Sequence, residues 1–366
     1  MTLLTIVLFI LGLVALVGGA ELLVRGASRL SLLFGISPLV VGLTVVAFGT
    51  SAPELAVSVM SALSGQADIT VGNVIGSNIC NTLLILGLSA VITPLVVSQQ
   101  LIRIDVPIMV GTSLVAYFFA FDGAYGRLDG LILFSSVVIY TIWAIRRSRR
   151  ETPEVGEEYA QEFGLDPEVK KGGGTVVKQI SLMIVGLTLL VLGSRWMVDG
   201  AITFARAFGV SELVIGLTIV SLGTSLPEVA TSALASIRGE RDIAVGNVVG
   251  SNLFNILSVL GMTALVAPNG VTVSPSALHF DLPIMVATAV ACLPVFFVGY
   301  QISRGEGALF LGFYVAYILF LVLAATHHHF LPFFSETMLY FFLPLTTLGL
   351  TISAWRFWRR DSENER

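Results

Sequence analysis

The sequence has little charge, and this excludes most soluble folds. Only 12% of its 366 residues are charged and 55% are hydrophobic, whereas ordinary soluble domains carry about 25% charge. A core built from a chain of this length could not hide so much apolar surface from water. We therefore expect a protein whose solvent is partly lipid.

Cysteine and basic residues are also scarce. The two cysteines, Cys80 and Cys292, lie in apolar runs, which predicts buried thiols rather than a disulfide framework. Lys and Arg number 20 against 24 Asp and Glu, and no nucleic-acid motif is present, so no nucleic-acid partner is expected. The sequence contains no Ser/His/Asp set and no phosphate-binding loop. We expect no enzymatic activity, no cofactor and no obligate protein partner.

Long apolar segments are what the sequence does contain. The first lacks a preceding basic segment and exceeds about 20 residues, so it predicts a spanning helix rather than a cleaved signal peptide. Residues 146–174 carry charges of both signs and predict a solvent loop. The expected spanning helices lie at roughly 3–24, 37–63, 69–93, 101–121, 128–147, 177–198, 211–237, 243–267, 280–300, 306–326 and 337–358.

The basic residues predict how these helices cross the membrane. If the N-terminus lies outside, all of the 20 Lys and Arg except Arg127, Arg195 and Arg206 fall on the inner side. Basic residues favour the cytoplasmic side. We expect a bacterial or archaeal cell membrane protein whose central segment and C-terminus are cytoplasmic.

The chain contains two copies of one pattern, 174 positions apart. Residues 42–87 and 216–261 align without a gap, and "GLTVVAFGTSAPEL" corresponds to "GLTIVSLGTSLPEV". Further on, "IDVPIM" with Asp105 echoes "FDLPIM" with Asp281. Each copy has five predicted helices and, because five is odd, the second copy enters the membrane from the opposite side. Inverted repeats are typical of secondary transporters, whose binding sites lie near the midplane between the repeats.

The expected fold is an all-α polytopic membrane protein. It consists of two inverted five-helix repeats, which make a ten-helix core, and one extra C-terminal transmembrane helix. The predicted boundaries are 1–148 for the first repeat, 149–175 for a cytoplasmic linker loop, 176–326 for the second repeat, and 327–366 for the extra helix and a cytoplasmic tail.

Polar residues in both copies are spaced to share helix faces, because residues four apart are neighbours on a helix. One pair of equivalent stripes holds Thr50, Glu54 and Ser58, and Thr224, Glu228 and Ser232. A second pair holds Ser77 and Asn81, and Ser251 and Asn255.

Two prolines are predicted to interrupt the helices that carry the glutamates. Pro53 and Pro227 lack an N–H group and break the hydrogen-bond ladder upstream. This predicts freed backbone carbonyls around Ala47 and Ser221, which a membrane tolerates only where protein or a cavity satisfies them.

Together these groups form a set of hard oxygen donors without His or Cys. Such a set suits Ca²⁺ or Na⁺ and argues against zinc or copper.

A carboxylate at the bilayer centre costs about 3 kcal/mol or more, so Glu54 and Glu228 are predicted to be functional. For the hydroxyls, helix packing is the alternative interpretation. Asn73 and Asn247 could bond exposed backbone or an ion.

The paired motifs "GTSAPE…GNVIGSN" and "GTSLPE…GNVVGSN" resemble the two α-repeats of the sodium/calcium exchanger family. The resemblance covers roughly residues 1–326. It implies ten helices, of which two shorter gating helices, the first and sixth, lie beside an eight-helix core. It also implies that Ca²⁺ is exchanged for Na⁺ by alternating access.

The resemblance further implies roles for individual residues. Glu54 and Glu228 would ligate Ca²⁺, and the same glutamates would take part in the Na⁺ sites. The other implied site residues are Thr50, Thr224, Ser77, Ser251, Asn81, Asn255, Ser51 and Ser225, with the carbonyls of Ala47 and Ser221. Two features depart from the family. Some relatives, including potassium-dependent ones, have Asp in place of Asn255, so K⁺ co-transport is not expected; the helix at 337–358 lies beyond the family core.

Two other transport functions stay open. A Ca²⁺/H⁺ antiporter could use the same scaffold, because two glutamates could carry two protons. The hydroxyl and carbonyl oxygens favour Na⁺, since protons need no such cage. A passive cation channel is the further alternative, but two carboxylates would hold a cation too tightly for fast conduction, and an inverted repeat favours alternation.

Overall fold

A computed structural model describes residues 3–162, 173–209, 215, 218–219 and 221–364. Within these ranges, nine helices are long and apolar enough to cross a membrane, or ten if one bent pair counts as a single span. The first half contains α1 (Leu3–Phe34), α2 (Pro38–Thr50), α3 (Ala52–Leu63), α4 (Ile69–Ile92), α5 (Leu101–Asp122) and α6 (Arg127–Glu162). The second half contains α7 (Gly173–Ala207), α8 (Ser221–Gly223), α9 (Leu226–Ile237), α10 (Arg241–Val266), α11 (Ala277–Tyr300), α12 (Arg304–Ala325) and α13 (Leu331–Ser353), after which the helix continues to Asn364.

The helices lie at the predicted spans, but α1, α6 and α7 extend beyond the predicted ends. The predicted helix at 211–237 lies partly outside the described residues, and its second part corresponds to α8 and α9. The loop predicted at 146–174, and with it the linker loop at 149–175, is wrong at both ends, because α6 continues to Glu162 and α7 begins at Gly173. Its middle part, 163–172, lies outside the described residues. Arg, Glu and Ala in the part that α6 occupies are good helix formers, so α6 extends past the end of its apolar run.

Four two-residue strands show that the repeats are inverted. β1 (Leu95–Val96), after α4, pairs with β4 (Gln301–Ile302), after α11. β2 (Ala124–Tyr125), after α5, pairs with β3 (Val271–Thr272), after α10. Each pair therefore joins the loop after the third helix of one repeat to the loop after the fourth helix of the other. These loops can meet at the same end only if the repeats have opposite orientations.

Helices α1 and α7, the predicted gating helices, pack closely against each other. A Cβ atom on Gly19 would lie 2.7 Å from the Gly186 carbonyl oxygen, and one on Gly186 would lie 2.7 Å from the Gly19 carbonyl oxygen. Gly12 and Gly193 form a second contact of this kind. Small residues allow helix backbones to approach in membranes, and these glycines bring the backbones of α1 and α7 into contact.

The expectation that the gating helices are shorter than the others is wrong. α1 has 32 residues and α7 has 35, whereas α4, α5, α10, α11 and α12 have 22 to 26. About 20 residues span the hydrocarbon core. The two helices must therefore tilt or extend beyond the bilayer.

An ion pair joins α1 to the turn after α9. The Arg238 guanidinium donates to both carboxylate oxygens of Glu21, at 2.7 and 3.0 Å, and Arg25 also pairs with Glu21. The positions equivalent to Glu21 and Arg238 in the opposite repeat are Arg195 and Ser64, which cannot form this pair. The ion pair that joins α1 to the second repeat therefore has no equivalent between α7 and the first repeat.

The core is built around α10. Every residue from Ile243 to Gly261 is buried. A Cβ atom on Gly250 would lie 2.5 Å from the Leu43 carbonyl oxygen, so α10 and α2 are in backbone contact across the repeat interface. This contact places the segment before Pro53 beside the second repeat.

A hydrogen bond between an aspartate and a tyrosine joins the fourth and fifth helices of each repeat. In the first repeat, Tyr140 donates to Asp105 at 2.9 Å, and Gln100 donates to the other carboxylate oxygen at 3.3 Å. In the second, Tyr317 donates to Asp281 at 3.0 Å. Asp105 is fully buried, whereas Asp281 is half-buried.

We expect Tyr140→Phe to destabilise the protein by about 1–3 kcal/mol, because a buried acceptor on Asp105 loses its donor. Tyr317→Phe is the matched control, and it should cost less because Asp281 is only half-buried. Thermal unfolding in detergent measures both effects. If Tyr140→Phe unfolded at the wild-type temperature, the hydrogen bond would contribute nothing.

Candidate ion-binding site

Each candidate glutamate lies in the first turn of a helix that follows a break. Glu54 is in α3, directly after Pro53, and Glu228 is in α9, directly after Pro227. The axes of α2 and α3 are bent by 43°. A helix N-terminus carries partial positive charge. Each break therefore creates a position, in the first turn of the following helix, that favours a carboxylate. The interruption predicted from Pro53 is confirmed.

Hydroxyl groups connect each glutamate to the opposite repeat. Ser51 donates to Glu228 Oε1 at 3.1 Å, and Ser225 donates to Glu54 Oε1 at 3.2 Å. The two contacts are equivalent under the 174-residue correspondence. They bring both carboxylates, which are buried, to one place between the repeats.

The two threonines also reach across the interface. Thr50 donates to Asn247 Oδ1 at 3.2 Å, and Thr224 donates to Asn73 Oδ1 at 3.3 Å. These contacts repeat the crossed pattern of the serines.

The second stripe contributes amides and hydroxyls to the same region. Ser225 Oγ lies 3.2 Å from Ser77 Oγ, and Asn255 Nδ2 donates to Asn78 Oδ1 at 3.2 Å. Asn81 and Ser251 are buried as well.

Several of these oxygens are buried without a hydrogen-bond partner among the described residues. They are Glu54 Oε2, Glu228 Oε2, Asn81 Oδ1, Asn255 Oδ1 and Ser251 Oγ. Leaving buried acceptors unpaired costs free energy, and a cation with a preference for oxygen would satisfy them. Among the residues that the structure describes, no group of three or more His, Cys, Asp or Glu side chains lies close enough together to hold a metal ion. The set fits Ca²⁺ or Na⁺ rather than a softer metal.

Comparison with known proteins identifies the family. Residues 4–146 and 178–323 match the family model described as sodium/calcium exchanger protein. The chain belongs to this family. It is therefore an integral membrane protein, and the resemblance in its two motifs is confirmed.

Individual relatives cover nearly the whole family region. Inner membrane protein YrbG of Escherichia coli is 38% identical over 320 residues, which is 87% of this chain and 97% of the relative. Sodium/calcium exchanger MaX1 of Methanosarcina acetivorans is 31% identical over 343 residues, 86% of this chain and 97% of the relative. The solved structure of the sodium-calcium exchanger NCX_Mj superposes with a TM-score of 0.75 at 32% identity, covering 87% of this chain and 99% of that one.

The Ala47 backbone carbonyl differs from the expectation. The Ala47 carbonyl is not free, because it accepts the Ser51 amide at 3.0 Å and the Thr50 hydroxyl at 3.3 Å. The reason is that α2 continues to Thr50, and the break comes at Ser51 rather than at Ala47. Ser221 begins the short helix α8, which ends before the equivalent break at Ser225.

Sequence reasoning missed a pair of asparagines beside the site. Asn252 donates to the Thr82 hydroxyl at 2.9 Å and to Met109 Sδ at 3.3 Å, and Asn78 donates to Met285 Sδ at 3.6 Å. Both belong to the repeated "GSN" of the motifs, 174 positions apart. Their equivalent positions in the two motifs could have identified them. Their hydrogen-bond partners could not be predicted, because these lie on other helices and spacing along one helix gives no information about them.

Proposed function

We propose that this chain is a secondary antiporter that exchanges Ca²⁺ for Na⁺ across a cell membrane by alternating access. The ions bind between the two repeats, at Glu54 and Glu228. The surrounding oxygens come from Thr50, Thr224, Ser51, Ser225, Ser77, Ser251, Asn81 and Asn255, with the Ser221 carbonyl and, through the lone pair that the Ser51 amide does not use, the Ala47 carbonyl. The protein acts as a transporter and not as an enzyme.

The crossed contact between each glutamate and the other repeat is the observation that carries this proposal. Glu54 and Glu228 each receive one serine hydroxyl on Oε1, and each keeps a buried Oε2 without a partner. Two such carboxylates side by side repel each other and are poorly solvated. One Ca²⁺, or several Na⁺, neutralises them and completes their coordination.

Exchange follows from this charge. With ions bound, the neutral site can be closed off from water, and the α1/α7 pair can slide across the core to open the other side. Without ions, repulsion between the two carboxylates resists closure of the site. The empty protein therefore does not switch from one open side to the other. The close glycine contacts between α1 and α7 support movement of the two helices as a unit.

The distribution of charge supports an orientation. The N-terminus lies outside, and the segment that joins the repeats at 149–175 lies with the C-terminus in the cytoplasm. The repeats occupy 1–148 and 176–326, and residues 327–366 form an addition to the exchanger core. Because Asn255 is neutral, K⁺ is not carried with Ca²⁺.

Purified protein in liposomes should take up ⁴⁵Ca²⁺ when an outward Na⁺ gradient is imposed. Uptake should be absent with choline in place of Na⁺ and should not require K⁺. An imposed pH gradient without Na⁺ should drive no uptake, because protons would leave the hydroxyl and amide oxygens unused.

The same assay distinguishes the other functions. Uptake under a pH gradient alone would identify a Ca²⁺/H⁺ antiporter. Rapid uptake down a Ca²⁺ gradient, with no counter-ion gradient, would identify a channel. Either result would overturn the proposal.

A further inference from the structure

Two asparagines contact the site threonines from the opposite repeat. Asn247 on α10 accepts the Thr50 hydroxyl, and Asn73 on α4 accepts the Thr224 hydroxyl. Neither asparagine is among the oxygen donors assigned to the ions above. Each threonine is therefore held by an amide that approaches from across the interface.

The neighbours of Asn73 fix which way its amide points. Its Nδ2 lies 3.2 Å from the backbone carbonyl oxygen of Glu54 and 3.0 Å from Ser58 Oγ. A carbonyl oxygen can only accept, so the NH₂ group must face it. The Asn73 Oδ1 then faces Thr224 and must accept in turn. Asn73 Oδ1 is thus placed to accept the hydroxyl proton of Thr224.

Asn247 shares one of these contacts, the one to the serine four residues after the glutamate, in a fully buried position. Its Nδ2 donates to Ser232 Oγ at 2.9 Å, so its Oδ1 faces Thr50 Oγ1 at 3.2 Å. The Thr50 hydroxyl has a single proton, and the Ala47 carbonyl oxygen, at 3.3 Å, is its second acceptor. Asn247 is 0% exposed, so water cannot replace it as the acceptor.

We propose that Asn73 and Asn247 are positioning residues for ion binding. Each takes the hydroxyl proton of the threonine from the other repeat, so that the lone pairs of the threonine oxygen face the cation. This inference rests on the proposed function, because it concerns ions at the same site. A hydroxyl whose proton points towards a cation repels it, and an amide that holds the proton elsewhere removes this cost before the ion arrives.

The crossed pairing has a consequence for the transport cycle. The threonine of one repeat is correctly oriented only while the other repeat packs beside it. Full coordination of the ion therefore requires two closed interfaces. One lies between α2 and α10, and the other joins Thr224 to Asn73 on α4.

Double-mutant cycles test the crossed pairing directly. Asn247→Leu should raise the Ca²⁺ concentration for half-maximal uptake by about 10-fold or more, the usual effect of removing a group that orients a metal ligand. In a Thr50→Val background it should have almost no further effect, because the oxygen that it orients is gone. In a Thr224→Val background its effect should persist in full. Asn73→Leu should show the reverse dependence on the two threonines.

Ca²⁺-dependent thermal stabilisation in detergent gives a second measure that does not need transport. The two repeats provide independent cycles, and Ala replaces Leu at either asparagine if the Leu variant does not fold. Equal effects of Asn247→Leu with and without Thr50 would overturn the inference, as would a loss of maximal rate without a change in half-saturation. If the wild-type protein showed no Na⁺-driven uptake, the proposed function itself would fail.

Discussion

Glu54→Gln and Glu228→Gln are each expected to abolish Na⁺-driven ⁴⁵Ca²⁺ uptake in proteoliposomes. Each substitution keeps the size of the side chain and removes one of the two charges that balance the cation. Removing one partner from a buried set of paired charges costs about 3–5 kcal/mol, which corresponds to a loss of affinity on the order of 100-fold or more. The two variants should be impaired alike, because the crossed serine contacts make their surroundings equivalent.

Glu306→Gln is the matched control for these two variants. Glu306 caps the start of α12 through the Ser303 hydroxyl and amide, and Gln can serve in the same capping arrangement. Its uptake should equal that of the wild type. Wild-type uptake by both Glu54→Gln and Glu228→Gln would show that the ions bind elsewhere.

The sequence was sufficient for the features that repeat along the chain. The 174-residue correspondence and the odd number of helices predicted the inversion, which the strand pairs confirm at both ends of the molecule. The position of Pro53 directly before Glu54 predicted a break at the glutamate. These features depend on local chemistry or on comparison of one half with the other.

The contacts between the halves could not be predicted in the same way. Spacing along a helix shows that Thr50 and Glu54 share a face, but it does not show that Ser51 contacts Glu228 or that Thr50 contacts Asn247. Such pairs depend on how two helices from different repeats cross. For the same reason the paired glycines of α1 and α7 were not recognised as a contact.

The length of helices was predicted poorly where polar residues follow an apolar run. Hydropathy locates the part of a helix that lies in lipid, but Glu, Arg and Ala allow a helix to continue into water. This explains α6, which continues to Glu162, and the long gating helices, whose apolar centres alone were expected.

Gly19→Val is expected to reduce exchange by about 10-fold or more while leaving the ion-binding residues unchanged. A Cβ atom there would lie 2.7 Å from the Gly186 carbonyl oxygen and 2.9 Å from the Leu190 amide nitrogen. Because both are backbone atoms, α1 and α7 must move apart. Overpacking of this kind typically costs 1–3 kcal/mol, and about 1.4 kcal/mol is tenfold in an equilibrium.

Gly18→Val provides the control one residue away on the same helix. A Cβ atom on Gly18 meets nothing within 4 Å, so this variant makes the same change in helix propensity without touching α7 and should exchange at nearly the wild-type rate. Ca²⁺-dependent thermal stabilisation should be preserved in both variants, since neither glycine contacts the ion site. If Gly19→Val exchanged as fast as Gly18→Val, the close packing of α1 on α7 would not be needed for alternation, and the two helices would have to move independently.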